Sequence, residues 1–78
     1  MTLKEFVVKY IFLESTIRVY VRYPDETINL WCDYIGTAKD LILNGEEYYR
    51  LLSNVEVEYI VPNLRKNSAV IDIHAVRS

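Results

Sequence analysis

The chain has 78 residues, of which 51% are hydrophobic and 26% charged, with a formal net charge of −2. This length predicts one domain over residues 1–78 with a modest core, because so short a chain buries only about 60–65% of its unfolded surface. The slight acidity argues against a nucleic-acid partner, which needs a basic surface. A single cysteine cannot form an internal disulfide, and we therefore expect a reducing, cytoplasmic environment.

The N-terminal stretch "MTLKEFVVKYIFLES" has some features of a secretory signal. Lys9 interrupts its apolar run, however, and no small-residue cleavage site follows. No stretch approaches the roughly 18–20 apolar residues that span a bilayer. We therefore expect a soluble intracellular protein without a membrane partner.

The first predicted element is a helix. Thr2 and Glu5 have the spacing of a capping box, which satisfies the free amides at a helix start. The residues that follow at helical spacing form one apolar stripe: Leu3, Phe6, Val7, Tyr10 and Ile11. Leu13 extends the stripe, but Glu14 would fall inside it. The helix is therefore expected to end at Leu13 or just before.

Two apolar residues of this helix fall outside the stripe. On a helical wheel Val8 and Phe12 lie among Lys4, Glu5 and Lys9, where a monomer has no evident use for them. We expect Val8 and Phe12 to form a surface for self-association or docking, which would make a homo-oligomer. The alternative is that the last turn unwinds and Phe12 packs back into the core.

A β-hairpin is predicted next, with strands over residues 16–23 and 27–35 joined by the turn "PDE". Alternation in the first strand places Ile17, Val19, Val21 and Tyr23 on the core side. In the second strand it places Ile28, Leu30, Cys32 and Tyr34 on that side. Cys32 is then expected to be a small buried core residue.

Gly36 is predicted to end this strand, and Thr37 with Asp40 to start a helix over residues 37–44. Asn44-Gly45 should supply a left-handed residue at its end. A helical segment over 46–52 turns Tyr48, Leu51 and Leu52 inward. Strands over 55–61 and 69–76 flank the loop "PNLRKNS".

These elements predict an α+β fold. Its sheet has four mainly antiparallel strands in two hairpins, with the N-terminal helix and the central helical segment on one face. The strand order does not follow from the sequence. A small β-barrel with an N-terminal helix is the alternative architecture.

The sheet face opposite the helices is the predicted partner surface. Strand phase assigns it the following residues: Arg18, Tyr20, Arg22, Trp31, Asp33, Ile35, Glu56, Glu58, Ile60, Val70, Asp72, His74 and Val76. A face that meets only water would consist mainly of Lys, Glu, Thr and Ser. Trp, Tyr and Arg are instead enriched where protein partners bind tightly.

Catalytic and metal sites are less favoured. The same phase places Cys32 and His74 on opposite sides of the sheet, which prevents a nucleophilic pair. Asp33, Asp72 and His74 share a face, but one histidine with scattered carboxylates is a poor zinc site. Neither a metal nor a cofactor is expected.

Arg18 and Arg22 offer a further alternative, since they could hold a small anion or a nucleotide through their planar guanidinium groups. Salt bridges to Glu56 and Glu58 are the competing expectation.

The motifs "LKEF", "IRVY", "GTAKDLI", "YYRLL", "VEVEYI" and "AVIDIHA" occur in this order along nearly the whole chain. In them the chain resembles short, uncharacterised proteins encoded by phages and prophages. It departs from them in the hairpin turn, which reads "YPDET" here. The resemblance implies a non-catalytic accessory protein that binds and blocks a host protein, often one of a defence system. A nucleotide-sequestering protein and, last, a hydrolase built on His74 are the alternatives.

Overall fold

The computed structural model describes residues 1–27, 32–65 and 68–77. Its elements follow the predicted order and are listed here in chain order: α1 (Leu3–Tyr10), β1 (Thr16–Arg22), β2 (Cys32–Thr37), α2 (Ala38–Leu43), α3 (Tyr49–Ser53), β3 (Val55–Arg65) and β4 (Ser68–Arg77). The α+β class is therefore confirmed.

The four strands form one sheet in the order β2-β1-β4-β3. Two antiparallel hairpins, β1–β2 and β3–β4, are joined by parallel pairing of β1 with β4. The sheet is therefore mixed, and the alternative of a closed barrel is wrong, because β2 and β3 are edge strands in the part of the chain that the structure describes.

Helix α1 begins as the sequence predicts and ends earlier. The Thr2 side chain accepts a hydrogen bond from the Glu5 amide, and the Glu5 carboxylate accepts one from the Thr2 amide at 3.0 Å. The bonds that the Thr2 amide and hydroxyl donate to the Glu5 carboxylate hold the pKa of Glu5 below its usual value. The helix ends at Tyr10, and Phe12 beyond it is 82% exposed. The alternative in which Phe12 packs back into the core is therefore wrong.

Helix α2 is capped by Thr37, whose hydroxyl accepts from the Asp40 amide at 3.1 Å. The predicted left-handed residue at Asn44-Gly45 is wrong, because Asn44 has φ −101° and Gly45 does not have a positive φ. The Tyr48 amide instead donates to the Asn44 carbonyl at 3.1 Å. Helical turns thus continue into α3, which allows Leu51 and Leu52 to reach the core.

One apolar core lies between the helices and the sheet. Its fully buried side chains include Leu3 and Val7 of α1, Leu41 of α2, and these strand residues: Ile17, Val19, Val55 and Ile73. All three helices contribute buried residues to the same cluster, which places them on one face of the sheet. We call this the inner face and the opposite one the outer face.

Strand β2 contains a β-bulge that changes which of its residues lie on each face of the sheet. Val19 pairs with Tyr34, but the next residue, Tyr20, pairs with Cys32, so that Asp33 is the extra residue. Tyr34 is buried as predicted, whereas Cys32 is exposed and lies on the outer face beside Tyr20. The prediction of a buried Cys32 is therefore wrong, because a bulge reverses the alternation at that point.

Gly36 does not end β2, since the strand continues to Thr37. Gly36 allows a close approach instead: a Cβ atom there would lie 2.8 Å from the Tyr34 hydroxyl oxygen. That hydroxyl donates to the Thr37 carbonyl at 2.7 Å, and burial raises the pKa of Tyr34. The absence of a side chain thus lets Tyr34 close the core at this edge.

A second bulge shifts β3. Val57 pairs with Ala75 and Tyr59 with His74, which leaves Glu58 as the extra residue. Ile60 consequently pairs with the buried Ile73, so its predicted outer-face position is wrong. The predicted loop over residues 62–68 is also shorter, because β3 runs to Arg65 and β4 starts at Ser68. Pro62 is compatible with β3 because β3 is an edge strand.

Candidate docking face on the outer side of the sheet

The centre of the outer face is a row of stacked rings from three strands. His74 of β4 lies between Tyr20 of β1 and Tyr59 of β3, with ring centroids 5.1 Å and 4.5 Å away. The interplanar angles are 14° and 10°. This stack follows from the register, because Tyr20 pairs with His74 and His74 with Tyr59. The three rings thus form one aromatic row across β1, β4 and β3.

A bidentate ion pair lies on one side of this ring row. Arg18 Nε and Nη2 donate to the two Asp72 carboxylate oxygens at 2.6 Å and 2.8 Å. Asn63 Nδ2 of β3 also donates to Asp72. The carboxylate is buried and raises the pKa of Arg18. Asp72 therefore joins β1, β4 and β3 with its charge balanced by Arg18.

A second bidentate pair lies on the other side. Arg22 Nε and Nη2 donate to the Glu58 carboxylate at 2.8 Å and 2.6 Å, which holds the pKa of Glu58 below its usual value. Arg22 Nη1 also donates to the Glu26 carbonyl at 2.9 Å. A pairing of the arginines with Glu56 and Glu58 was predicted for neighbouring strands; Arg22 does pair with Glu58, but across the intervening strand β4. The predicted partner of Arg18 was an acid of β3, whereas the structure shows Asp72 of β4.

The structure thus brings Arg18, Tyr20, Arg22, Glu58 and His74 together on one face as predicted. Asp33 is exposed, and its carboxylate accepts from the Val21 amide at 3.2 Å. Trp31 lies outside the described residues. Ile60 does not belong to this face.

Sequence reasoning missed Tyr59, Val61 and Cys32 as outer-face residues. Tyr59 is 56% exposed, and Ile35, which strand phase placed correctly, is 69% exposed. A signal for the β3 bulge exists in "VEVEYIV", where strict apolar–polar alternation gives way to three apolar residues. No comparable signal marks Asp33.

Because the bulge places Cys32 on the outer face, a nucleophilic pair of Cys32 and His74 is excluded for a different reason than the one predicted. Both side chains lie on the outer face, but Tyr20 stands between their strands. Two strand spacings place them about 10 Å apart, beyond hydrogen-bonding reach. No group of three or more His, Cys, Asp or Glu among the described residues could hold a metal ion.

No protein-family model, curated protein or solved structure matches the chain. Within the described ranges, no helix is long and apolar enough to cross a bilayer. The chemistry of the outer face is therefore the basis for a functional proposal.

Proposed function

We propose that this chain is a non-catalytic binding protein that docks a partner protein on its outer face. In keeping with the phage proteins that it resembles, it acts as a stoichiometric inhibitor of a host protein. The observation that carries the proposal is that the outer face combines a fixed row of rings with arginines already paired to carboxylates.

Such a face is preorganised for protein binding. Docking normally costs free energy when side chains lose rotamer freedom and when unpaired charges lose water. Because Tyr20, His74 and Tyr59 already stack on one another, we expect them to lose less rotamer freedom on docking than isolated side chains would. Tyr59 and Ile35 remain largely exposed, so they present apolar area that a partner can cover.

The ion pairs also favour a protein over a small anion as the ligand. The guanidinium groups of Arg18 and Arg22 are each occupied by a carboxylate. A phosphate would have to displace Asp72 or Glu58 before either arginine could bind it. The partner is therefore expected to present a flat, weakly charged surface.

Affinity capture with matched variants tests the proposal. The outer-face variant is Ile35→Ser/Tyr59→Ser, and the control is Tyr10→Ser/Leu13→Ser, which changes exposed apolar residues elsewhere. We expect the native chain and the control to retain the same host protein, and the outer-face variant to lose it. The purified partner should then bind one molecule of this chain per site and lose activity in proportion to occupancy.

Equal retention by the outer-face variant would contradict the proposal, provided that all three proteins fold alike by circular dichroism. Trp31→Ala/Tyr20→Ala, which changes two residues that strand phase assigns to the partner surface, gives an independent second variant. A thermal-shift screen against nucleotides tests the small-molecule alternative, for which a shift that disappears in Arg18→Gln would be the positive result.

A further inference from the structure

The surface of α1 that faces away from the core has an apolar line of its own. Val8 is exposed, and Phe12, just beyond the helix end, is 82% exposed. Lys4 and Val8 are four residues apart and therefore lie on one side of α1, with Lys4 towards its N-terminal end. Phe12 follows the extended residue Ile11, two residues beyond the end of the helix, and protrudes at that end of the molecule.

A groove of about 690 Å³ begins beside Lys4. Its apolar lining includes Ile42, Leu43, Tyr49 and Leu52, and its rim carries Glu46 and Glu47. Leu43 is 70% exposed although it is a large aliphatic residue at the end of α2. The molecule therefore has a protruding aromatic ring at one end of α1 and an apolar groove at the other.

We propose that the groove receives Phe12 of a second copy of this chain. Helix α1 has eight residues and is about 12 Å long. If two α1 helices lie antiparallel about a two-fold axis near Val8, Phe12 of each copy reaches the groove beside Lys4 of the other. Such an isologous contact closes at two subunits, because each copy uses its ring and its groove once.

The charges on the two surfaces are complementary. Glu46 and Glu47 are exposed and form no ion pair with any residue in the described ranges. Lys9 lies in the last turn of α1, close to Phe12 in the chain, and its amino group is over the Tyr10 ring at 5.6 Å. Insertion of Phe12 brings Lys9 to the acidic rim of the partner's groove. This complementarity selects a second copy over an acidic partner.

The dimer leaves the outer face of each copy uncovered, because the groove is lined by the helices, which cover the inner face, and Phe12 directly follows α1. Two docking faces in one particle would give bivalent binding where a partner offers two sites. The dimer does not depend on the proposed function, and the proposed function does not depend on the dimer.

Sedimentation equilibrium over a range of concentrations tests the dimer. Phe12→Ser and Leu43→Ser alter opposite ends of the contact, and each is expected to weaken dimerisation by about tenfold or more. Tyr23→Ser, which removes an exposed aromatic ring after β1, and the outer-face variant Ile35→Ser/Tyr59→Ser should dimerise like the native chain. A native chain that stays monomeric at millimolar concentration, or a Phe12→Ser variant that dimerises normally, overturns the inference.

Charge reversal supplies a second test that does not remove apolar area. Lys9→Glu alone and Glu46→Lys/Glu47→Lys alone should each weaken the dimer, and the effect should fall as salt is added. Combining the three substitutions should restore dimerisation to near the native constant. Failure of the combined variant to recover would show that Lys9 does not face the acidic rim, and would overturn the proposed arrangement.

Discussion

The two faces of this sheet are stabilised by different means. On the inner face Ile17, Val19 and Ile73 are completely buried, and their removal from water stabilises the fold. On the outer face the neighbouring positions of the same strands carry Arg18, which is paired with Asp72, and rings that stack. A polar or aromatic side chain can thus be fixed on an uncovered face when its partner lies on the next strand.

The central and edge strands of the sheet also differ in the regularity of their pairing. The central strands β1 and β4 pair with each other in one continuous register, whereas each edge strand has a bulge, at Asp33 in β2 and at Glu58 in β3. Bulges at a sheet edge discourage pairing with another sheet. Residues Met1 and Thr2 also cover the start of β3, where the Val57 amide donates to the Met1 carbonyl at 3.0 Å.

The largest measurable difference between the faces is expected in thiol labelling of Cys32. An inner-face thiol would react only when the protein opens, which slows labelling by a factor of about 10³ or more. Because Cys32 lies on the outer face and is exposed, a bulky maleimide should label the native protein at a rate close to that in denaturant. Strong protection would show that β2 has no bulge at Asp33.

The alternation of apolar and polar residues predicted the strands and the face on which most of their side chains lie. It could do so because the buried face and the exposed face of the sheet differ sharply in polarity. It correctly placed Ile17, Val19 and Ile73 inside and Arg18 and His74 outside. It failed at Cys32, which precedes the bulge in β2, and at Ile60, which follows the bulge in β3. An extra residue in one strand depends on the partner strand, and single-strand periodicity contains little information about it.

The candidate docking face was predictable in composition but not in arrangement. The strand order was open, so nothing placed β4 between β1 and β3. That order decides that Asp72 is the partner of Arg18 and that His74 lies between two tyrosines. The early end of α1 was also missed, because apolar residues continue beyond Tyr10 at helical spacing.

Removal of a core side chain should reduce stability far more than removal of an outer-face one from the same strand. Ile73→Ala leaves a cavity beneath the helices and is expected to cost about 2–5 kcal/mol of unfolding free energy. The control is Val76→Ala, which removes a half-buried outer-face side chain. Urea unfolding measures both. Equal losses would contradict the assignment of the core to the inner face.

The ring row should make a smaller but specific contribution. Tyr59→Leu keeps an apolar side chain opposite His74 and removes the stacked ring. We expect a coupling free energy of about 0.5–1.5 kcal/mol between Tyr59 and His74 in a double-mutant cycle with His74→Leu. The pair Tyr59 and Val76 serves as a control, with Val76→Ala as its second substitution. No coupling between Tyr59 and His74 would show that the rings are adjacent but energetically independent.

The smallest expected effect concerns the pH dependence of stability. Hydrogen bonds from Arg22 lower the pKa of Glu58 in the folded state below its value of 4.5 in the unfolded chain. A lowered pKa stabilises the fold above the unfolded value, and this contribution is lost as the pH falls below the unfolded value and through the folded one. Glu58→Gln should therefore decrease stability slightly at pH 7 and flatten its decline in acid. Since Glu5 also has a lowered pKa, part of the native slope should remain in Glu58→Gln. If urea unfolding gave the same acid slope for Glu58→Gln and the native chain, the ion pair on the outer face would not form in solution.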